Sequence, residues 1–85
     1  MTSLPAWRRG IETPNRFGEA VRKARTAAGL TQEELADRSG LDRSYIGGVE
    51  RGERNPTLSV IEKVAEGLGV TLPELFSYSA KGPRA

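Results

Sequence analysis

Apolar residues that follow residue 14 recur at the spacing of an amphipathic helix. They are separated by steps of four, three and four residues, which places them on one face of a helix over residues 15–28. These positions are Phe17, Val21, Ala24 and Ala28. Gly29 follows and is predicted to end this first helix in a left-handed conformation.

A second, short helix is predicted from a capping box that begins at Thr31. In such a box the Thr31 hydroxyl accepts a hydrogen bond from the Glu34 amide, and the Glu34 carboxylate reaches back to the Thr31 amide. The helix runs to about Ser39, and Gly40 follows as the turn residue. The positions expected to point inward are Leu35 and Ala36.

Asp42 is predicted to cap a third helix, which runs from Arg43 to about Arg51. Because the connection around Gly40 is so short, this helix is expected to cross the second one sharply. A short helix held in that way can project into a DNA major groove, which is about 12 Å wide. The residues expected to face the core are Leu41, just before this helix, and Ile46 and Val49 within it.

Two further helices are predicted after a polar loop over residues 52–56. The fourth begins at Thr57 and is ended by Gly69, and the fifth begins at a second capping box, Thr71 to Glu74. The apolar positions of the fourth helix are Leu58, Ile61, Val64, Ala65 and Leu68, and those of the fifth are Leu75 and Phe76.

The pattern therefore predicts one all-α domain over residues 15–77, between a flexible N-terminal arm (1–14) and a C-terminal tail (78–85). The arm holds one cluster, Trp7 with Arg8 and Arg9. It is either a leader without a role of its own or a basic arm that touches the DNA backbone or minor groove.

Composition excludes several kinds of chemistry. The 85 residues contain no Cys and no His, which removes disulfides, thiolate metal sites and the commonest general base. We expect no metal, cofactor or small-molecule ligand. The net charge of +2 is small, so attraction to DNA must come from local placement of charge. No apolar run could span a membrane and no signal peptide is visible, which predicts a cytoplasmic protein.

Residues 17–76 resemble the Cro/repressor-type helix-turn-helix family, also called the xenobiotic-response-element family. The resemblance is carried by TQEELA, a glycine four residues later, the run YIGGVERGERNP, and then LGV. It implies a five-helix, lambda-repressor-like fold with the helix-turn-helix at the second and third helices. The run LDRSYIGGVERGERNPT in so short a chain is similar to controller proteins of restriction–modification systems.

The resemblance implies a role for each of six residues. The recognition helix would present Arg43, Ser44 and Tyr45 to base edges, while phosphates would be bound by Gln32, Arg54 and Asn55. The chemistry agrees, because arginine can bond the O6 and N7 atoms of guanine with two hydrogen bonds. The alternatives are a solvated Arg43, a Ser44 that only caps the helix, a Tyr45 that packs in the core, and a Gln32 chosen for helix propensity.

Gly48 departs from the family pattern, which often has a base-reading side chain at that position, and Gly47 lies next to it. Two glycines inside a helix cost on the order of 2 kcal/mol relative to alanine. One hypothesis is that the missing side chain at Gly48 brings the helix or Tyr45 closer to DNA. The other is that a neighbouring helix crowds the position.

Arg25 borders the apolar stripe of the first helix, and a charge in that place should be paired. The resemblance implies that its partner is Glu50, at the end of the third helix. We therefore predict an ion pair that orients the recognition helix.

A homodimer is expected, because one short helix reads only a few base pairs and two half-sites give the needed specificity. The C-terminal third has apolar residues to spare, although all of them could instead belong to the core. The residues predicted for the dimer interface are Val60, Leu68, Leu72, Leu75 and Phe76, with Tyr78 also available.

The sequence thus predicts a DNA-binding transcriptional regulator that acts as a homodimer on double-stranded DNA. An antitoxin, which would bind DNA and also a toxin protein through the arm around Trp7, is the first alternative. A module that binds only proteins is the second, although Arg43, Arg54 and Asn55 argue against it. An enzyme is the weakest alternative, since there is no His, Cys or glycine-rich phosphate loop.

Overall fold

The computed structural model describes residues 13–79, which contain five helices and no strand. The all-α, five-helix prediction is confirmed. The predictions for Trp7, Arg8 and Arg9 lie outside the described residues. The helices are α1 (Thr13–Ala27), α2 (Gln32–Ser39), α3 (Arg43–Glu50), α4 (Leu58–Leu68) and α5 (Leu72–Ser77).

The capping residues that the sequence predicted define the beginnings of α2 and α5. The Thr31 hydroxyl accepts from the Glu34 amide at 3.0 Å, and the Thr31 amide donates to Glu34 Oε1 at 2.9 Å. The same reciprocal pair joins Thr71 and Glu74, at 3.2 and 2.8 Å. These bonds satisfy amides that the first turn of a helix leaves without a partner.

Gly40 makes the tight turn between α2 and α3. Its φ of 69° lies in the left-handed region, and its amide donates to the carbonyls of Ala36 and Asp37 at the end of α2. A residue with a Cβ would be strained there. The turn leaves room for only two residues, Leu41 and Asp42, before α3 begins, so the chain changes direction abruptly.

The core lies between all five helices, with α2 packed chiefly on α4 and α3 packed on α1. Every helix contributes at least one fully or almost fully buried apolar side chain. The largest fully buried side chains are Leu35, Ile46, Leu75, Val21, Val49 and Val64. Since α3 is packed from two sides by α1 and α2, its orientation is fixed by the core.

Close helix packing requires glycine at two places that the sequence analysis did not single out. A Cβ on Gly18 of α1 would fall against the backbone carbonyls of Val49 and Glu50, at the end of α3. A Cβ on Gly67 of α4 would fall against the Ser39 hydroxyl of α2. Both glycines therefore allow a neighbouring helix to approach more closely than a side chain would permit.

Two sequence predictions about core-facing positions and one about capping are wrong. Ala28 is exposed, because α1 ends at Ala27, one residue before it. Leu58 is 64% exposed, since it is the first residue of α4 and precedes the turns that reach the core. Asp42 occupies the N-cap position of α3 but makes no capping bond, because its carboxylate accepts from the Ser44 hydroxyl.

No helix within residues 13–79 has the length and apolar character needed to cross a membrane.

Candidate DNA-binding surface

The first turn of α3 faces solvent, whereas the rest of the helix is buried. Arg43 and Ser44 are exposed and Tyr45 is half-buried, but residues 46–50 all lie in the interior. The turn at Gly40 therefore presents the beginning of α3 outward, as the sequence predicted. A helix held in this way can enter a major groove with its N-terminal residues foremost.

Ser44 is held locally. Its hydroxyl donates to the Asp42 carboxylate, one of the side chains at the start of α3. The hydroxyl oxygen can still accept a hydrogen bond, while the donated proton is already engaged. The capping alternative for Ser44 is not supported, because this bond joins two side chains and satisfies no amide of the helix.

A buried ion pair joins α1 to the end of α3 and confirms the predicted pairing of Arg25 with Glu50. Arg25 Nε donates to Glu50 Oε2 at 2.6 Å, and Arg25 Nη2 donates to Glu50 Oε1 at 3.1 Å. The side chains are only 13% and 4% exposed. Arg25 Nη1 also donates to the Leu30 carbonyl at 2.8 Å, so the guanidinium fixes the α1–α2 connection as well.

Gln32 belongs to the same network. Its side-chain nitrogen donates to Glu50 Oε1 at 2.9 Å, so the first residue of α2 is tied to the last residue of α3. A shallow cleft beside this network is bordered by Gln32, Thr31 and Arg43, among others. The structure thus brings Arg43, a predicted base-reading residue, and Gln32, a predicted phosphate-binding residue, to the same cleft.

Arg54 lies across α3 on its exposed side. Its guanidinium carbon is 5.6 Å from the centre of the Tyr45 ring, within the range of a cation–π contact. A Cβ on Gly48 would lie 2.9 Å from Arg54 Cγ. The position is therefore crowded by a loop side chain, and the expectation that a neighbouring helix crowds it is wrong. Asn55 is exposed beside Arg54 in the same loop.

Arg51 is a further basic residue of this surface, and the sequence analysis does not predict it. It is exposed directly after α3, where its Nη2 forms an ion pair with Glu53 Oε1 at 3.0 Å. The hydrogen bond from Arg51, followed by its charge, lowers the pKa of the Glu53 carboxyl. The sequence spacing gives no signal for this pair, because side chains two residues apart do not face each other on a helix.

Two of the predicted interface residues lie in the protomer's own core. Leu75 is completely buried and Leu68 is 6% exposed, so their side chains cannot contact a second molecule. Sequence analysis could not distinguish them, because core and interface positions are equally apolar. Phe76 is 44% exposed, and Val60 and Leu72 are half-buried.

Comparison with known proteins gives the class to which this fold and surface belong. A helix-turn-helix family profile matches residues 21–75. The chain therefore belongs to the helix-turn-helix family of DNA-binding transcriptional regulators, as its resemblance to that family implied.

The most informative relatives are control proteins. The chain is 46% identical to control protein C.MunI from Mycoplasma sp over 63 residues. This match covers 73% of this chain and 85% of that protein. It is 49% identical over 61 residues to control protein C.SmaI from Serratia marcescens, which covers 72% and 73% of the two chains. The crystal structure of the restriction-modification controller protein C.AhdI from Aeromonas hydrophila superposes with a TM-score of 0.73 and 53% identity. That match covers 75% of this chain and 97% of C.AhdI.

Proposed function

We propose that this chain is a restriction–modification controller, which binds an operator as a homodimer and sets the transcription of restriction–modification genes. The observation that carries the proposal is the exposed first turn of α3, held by the buried pair of Arg25 and Glu50. The similarity to C.MunI, C.SmaI and C.AhdI supports the same conclusion, because each is named as a control or controller protein. The family is one of DNA-binding regulators, and we propose no catalytic activity.

Each exposed side chain of α3 has a separate role in this proposal. Arg43 would read a guanine through two hydrogen bonds in the major groove. Ser44 would accept a bond from a base amino group, because its own proton is donated to Asp42. Tyr45 would pack its ring on a thymine methyl group or bond a phosphate through its hydroxyl.

Phosphate binding on the two sides of α3 would set the depth and register of the helix. Gln32 would use the second proton of its side-chain amide, since the first is donated to Glu50. The position of Gln32 at the start of α2 suits an anion, because the dipole and free amides of a helix favour negative charge there. Arg54 and Asn55 would bind the phosphate on the opposite side.

Arg43→Ala and Arg54→Ala are predicted to have different effects on DNA binding. The first should relax preference at one base pair and cost about 1–3 kcal/mol in operator binding. The second should weaken all sequences alike and reduce the slope of log affinity against log salt by about one. Fluorescence anisotropy with operator and single-base variants, at several salt concentrations, measures both. A uniform loss for Arg43→Ala and a base-specific loss for Arg54→Ala would reverse the two assignments.

The dimer surface that we propose consists of Val60, Leu72 and Phe76. All three lie on α4 or α5 and keep part of their surface exposed. Leu68 and Leu75 are omitted because they are buried. A two-fold axis at this surface would place two copies of α3 for two half-sites about one helical turn apart.

Sedimentation should show a dimer at concentrations on the order of tens of micromolar. Phe76→Glu should shift the protein to monomer with its helix content intact, because a charge would be buried against its symmetry mate. Glu74→Gln, on the exposed surface of the same helix, serves as the matched variant and should remain dimeric. A wild-type monomer at these concentrations would refute the dimer.

Regulation would then depend on operator occupancy in the cytoplasm. A bound dimer near a promoter would block polymerase or recruit it. The concentration of the protein itself would be the input, with activation at low and repression at high concentration of its own gene and a linked restriction gene.

A further inference from the structure

Gly48 lies inside α3, where no unusual backbone angle explains the choice of glycine. Its φ is not positive, in contrast to the turn glycines such as Gly40. Glycine is among the weakest helix formers, so another residue would favour the helix. What distinguishes the position is the space beside it, which is filled by Arg54.

The Arg54 side chain runs along the space that a side chain at position 48 would occupy. A Cβ on Gly48 would lie 2.9 Å from Arg54 Cγ and 3.2 Å from Arg54 Nε. Beyond Nε, the guanidinium reaches the Tyr45 ring, 5.6 Å from its centre. Tyr45 precedes Gly48 by three residues, so the two lie on one face of the helix. Arg54 therefore covers one turn of α3 from Gly48 to Tyr45.

The charge of Arg54 remains available for DNA. Within residues 13–79, the ion pairs are Arg25 with Glu50 and Arg51 with Glu53, and Arg54 takes part in neither. Glu53, the acidic neighbour of Arg54 in the chain, forms its ion pair with Arg51, and its pKa is lowered first by the hydrogen bond and charge of Arg51 and, to a smaller extent, by the charge of Arg54. The guanidinium is thus positioned by the Tyr45 ring and by the space that Gly48 leaves, and within residues 13–79 it forms no salt bridge.

We propose that Gly48 is a positioning residue: it seats Arg54 against α3, so that the loop arginine and Tyr45 bind DNA as one preassembled unit. The inference rests on the proposed DNA-binding function. Binding then does not have to order the long Arg54 side chain, because that entropy is lost on folding. Any side chain at position 48 would expel Arg54 and also release the Tyr45 ring.

The test is Gly48→Ala, compared with Gly47→Ala on duplexes selected by the wild-type chain from random DNA. Gly48→Ala should weaken binding about fivefold, as expected for losing one ordered side chain and its cation–π contact. Its Tm should be no lower than that of the wild type, because Arg54 is exposed and can turn into solvent. A Cβ on Gly47 would meet only side-chain ends, Arg51 Nη1 at 3.1 Å and Gln32 Oε1 at 3.6 Å. Gly47→Ala should therefore change the affinity for these duplexes by less than about twofold.

A double-mutant cycle separates this proposal from simple steric damage. In an Arg54→Ala background, Gly48→Ala should have no further effect on affinity, since the seated side chain is already gone. An equal loss in both backgrounds would overturn the proposal.

NMR of the free protein provides a readout without DNA. The Tyr45 ring signals should shift in Gly48→Ala and in Arg54→Ala but not in Gly47→Ala. Unshifted signals in Gly48→Ala would refute the placement of Arg54 by Gly48. If the ring signals shift as expected but the wild-type chain selects no duplex, Gly48 does position Arg54 and the proposed function is wrong.

Discussion

Replacing Glu50 with alanine should unfold a large fraction of the protein. The change leaves the Arg25 guanidinium almost buried without a carboxylate, and it also removes the acceptor for the Gln32 amide. Breaking a buried pair in this way costs about 3–5 kcal/mol. The whole stability of a domain of this size is roughly 3–10 kcal/mol. Urea denaturation followed by far-ultraviolet circular dichroism measures the loss.

The exposed pair of Arg51 and Glu53 provides the matched control. Its side chains are 61% and 59% exposed, so water replaces the lost partner and Glu53→Ala should leave the urea midpoint unchanged. The double variant Arg25→Met, Glu50→Leu should be more stable than Glu50→Ala, because it leaves no buried charge without a partner, although the Gln32 amide and the Leu30 carbonyl still lose theirs. A Glu50→Ala variant that is as stable as Glu53→Ala would show that the buried pair does not hold α3.

Gly18→Ala is expected to be the most damaging single methyl addition within the described residues. The new Cβ would lie 2.7 Å from the Glu50 carbonyl oxygen and still nearer to that of Val49. Both atoms belong to the backbone of α3 and cannot rotate away, so α1 and α3 must separate. Overpacking costs about 1–3 kcal/mol and occasionally more, and we expect the upper end of that range. Thermal denaturation should show a Tm lower by roughly 8 °C or more.

Gly47→Ala introduces the same methyl group into a helix where only mobile side-chain ends approach it. It should keep or raise the Tm, because alanine favours the helix. The two variants together separate the steric effect from helix propensity. If Gly18→Ala melts at the wild-type temperature, α1 and α3 are not in the close contact described above.

The helices and their beginnings could be predicted from the sequence because the signals are local. Thr31 and Thr71 are each followed three residues later by a glutamate, and both boxes form as predicted. Gly40 likewise marks the turn, since few other residues adopt its backbone conformation. Such signals depend on neighbours within one helical turn, which the sequence shows directly.

Burial at the ends of helices could not be predicted in the same way. Leu75 and Phe76 are adjacent and both apolar, yet the first is fully buried and the second is 44% exposed. Periodicity gives the face of a helix but not the element that covers it. For that reason periodicity alone places Leu68 and Leu75 at an interface, whereas they belong to the core.

At the candidate surface, too, some features could be predicted from the sequence and others depend on packing. The resemblance to a known family placed Arg43 outward and paired Arg25 with Glu50, and the structure agrees on both points. The contacts of Gly18 with the end of α3, and of Arg54 with Gly48, depend on how distant segments pack. A single sequence carries no signal for such contacts.

Under the proposed function, the division of α3 into an exposed first turn and a buried remainder would separate DNA recognition from folding. Because Arg43 and Ser44 are exposed and neither belongs to the core cluster, substitutions at these two positions should change stability little. Duplicated copies within one cell could then diverge to different binding sites through very few mutations. The same two positions are where a library for engineered, mutually orthogonal gene switches would be randomised.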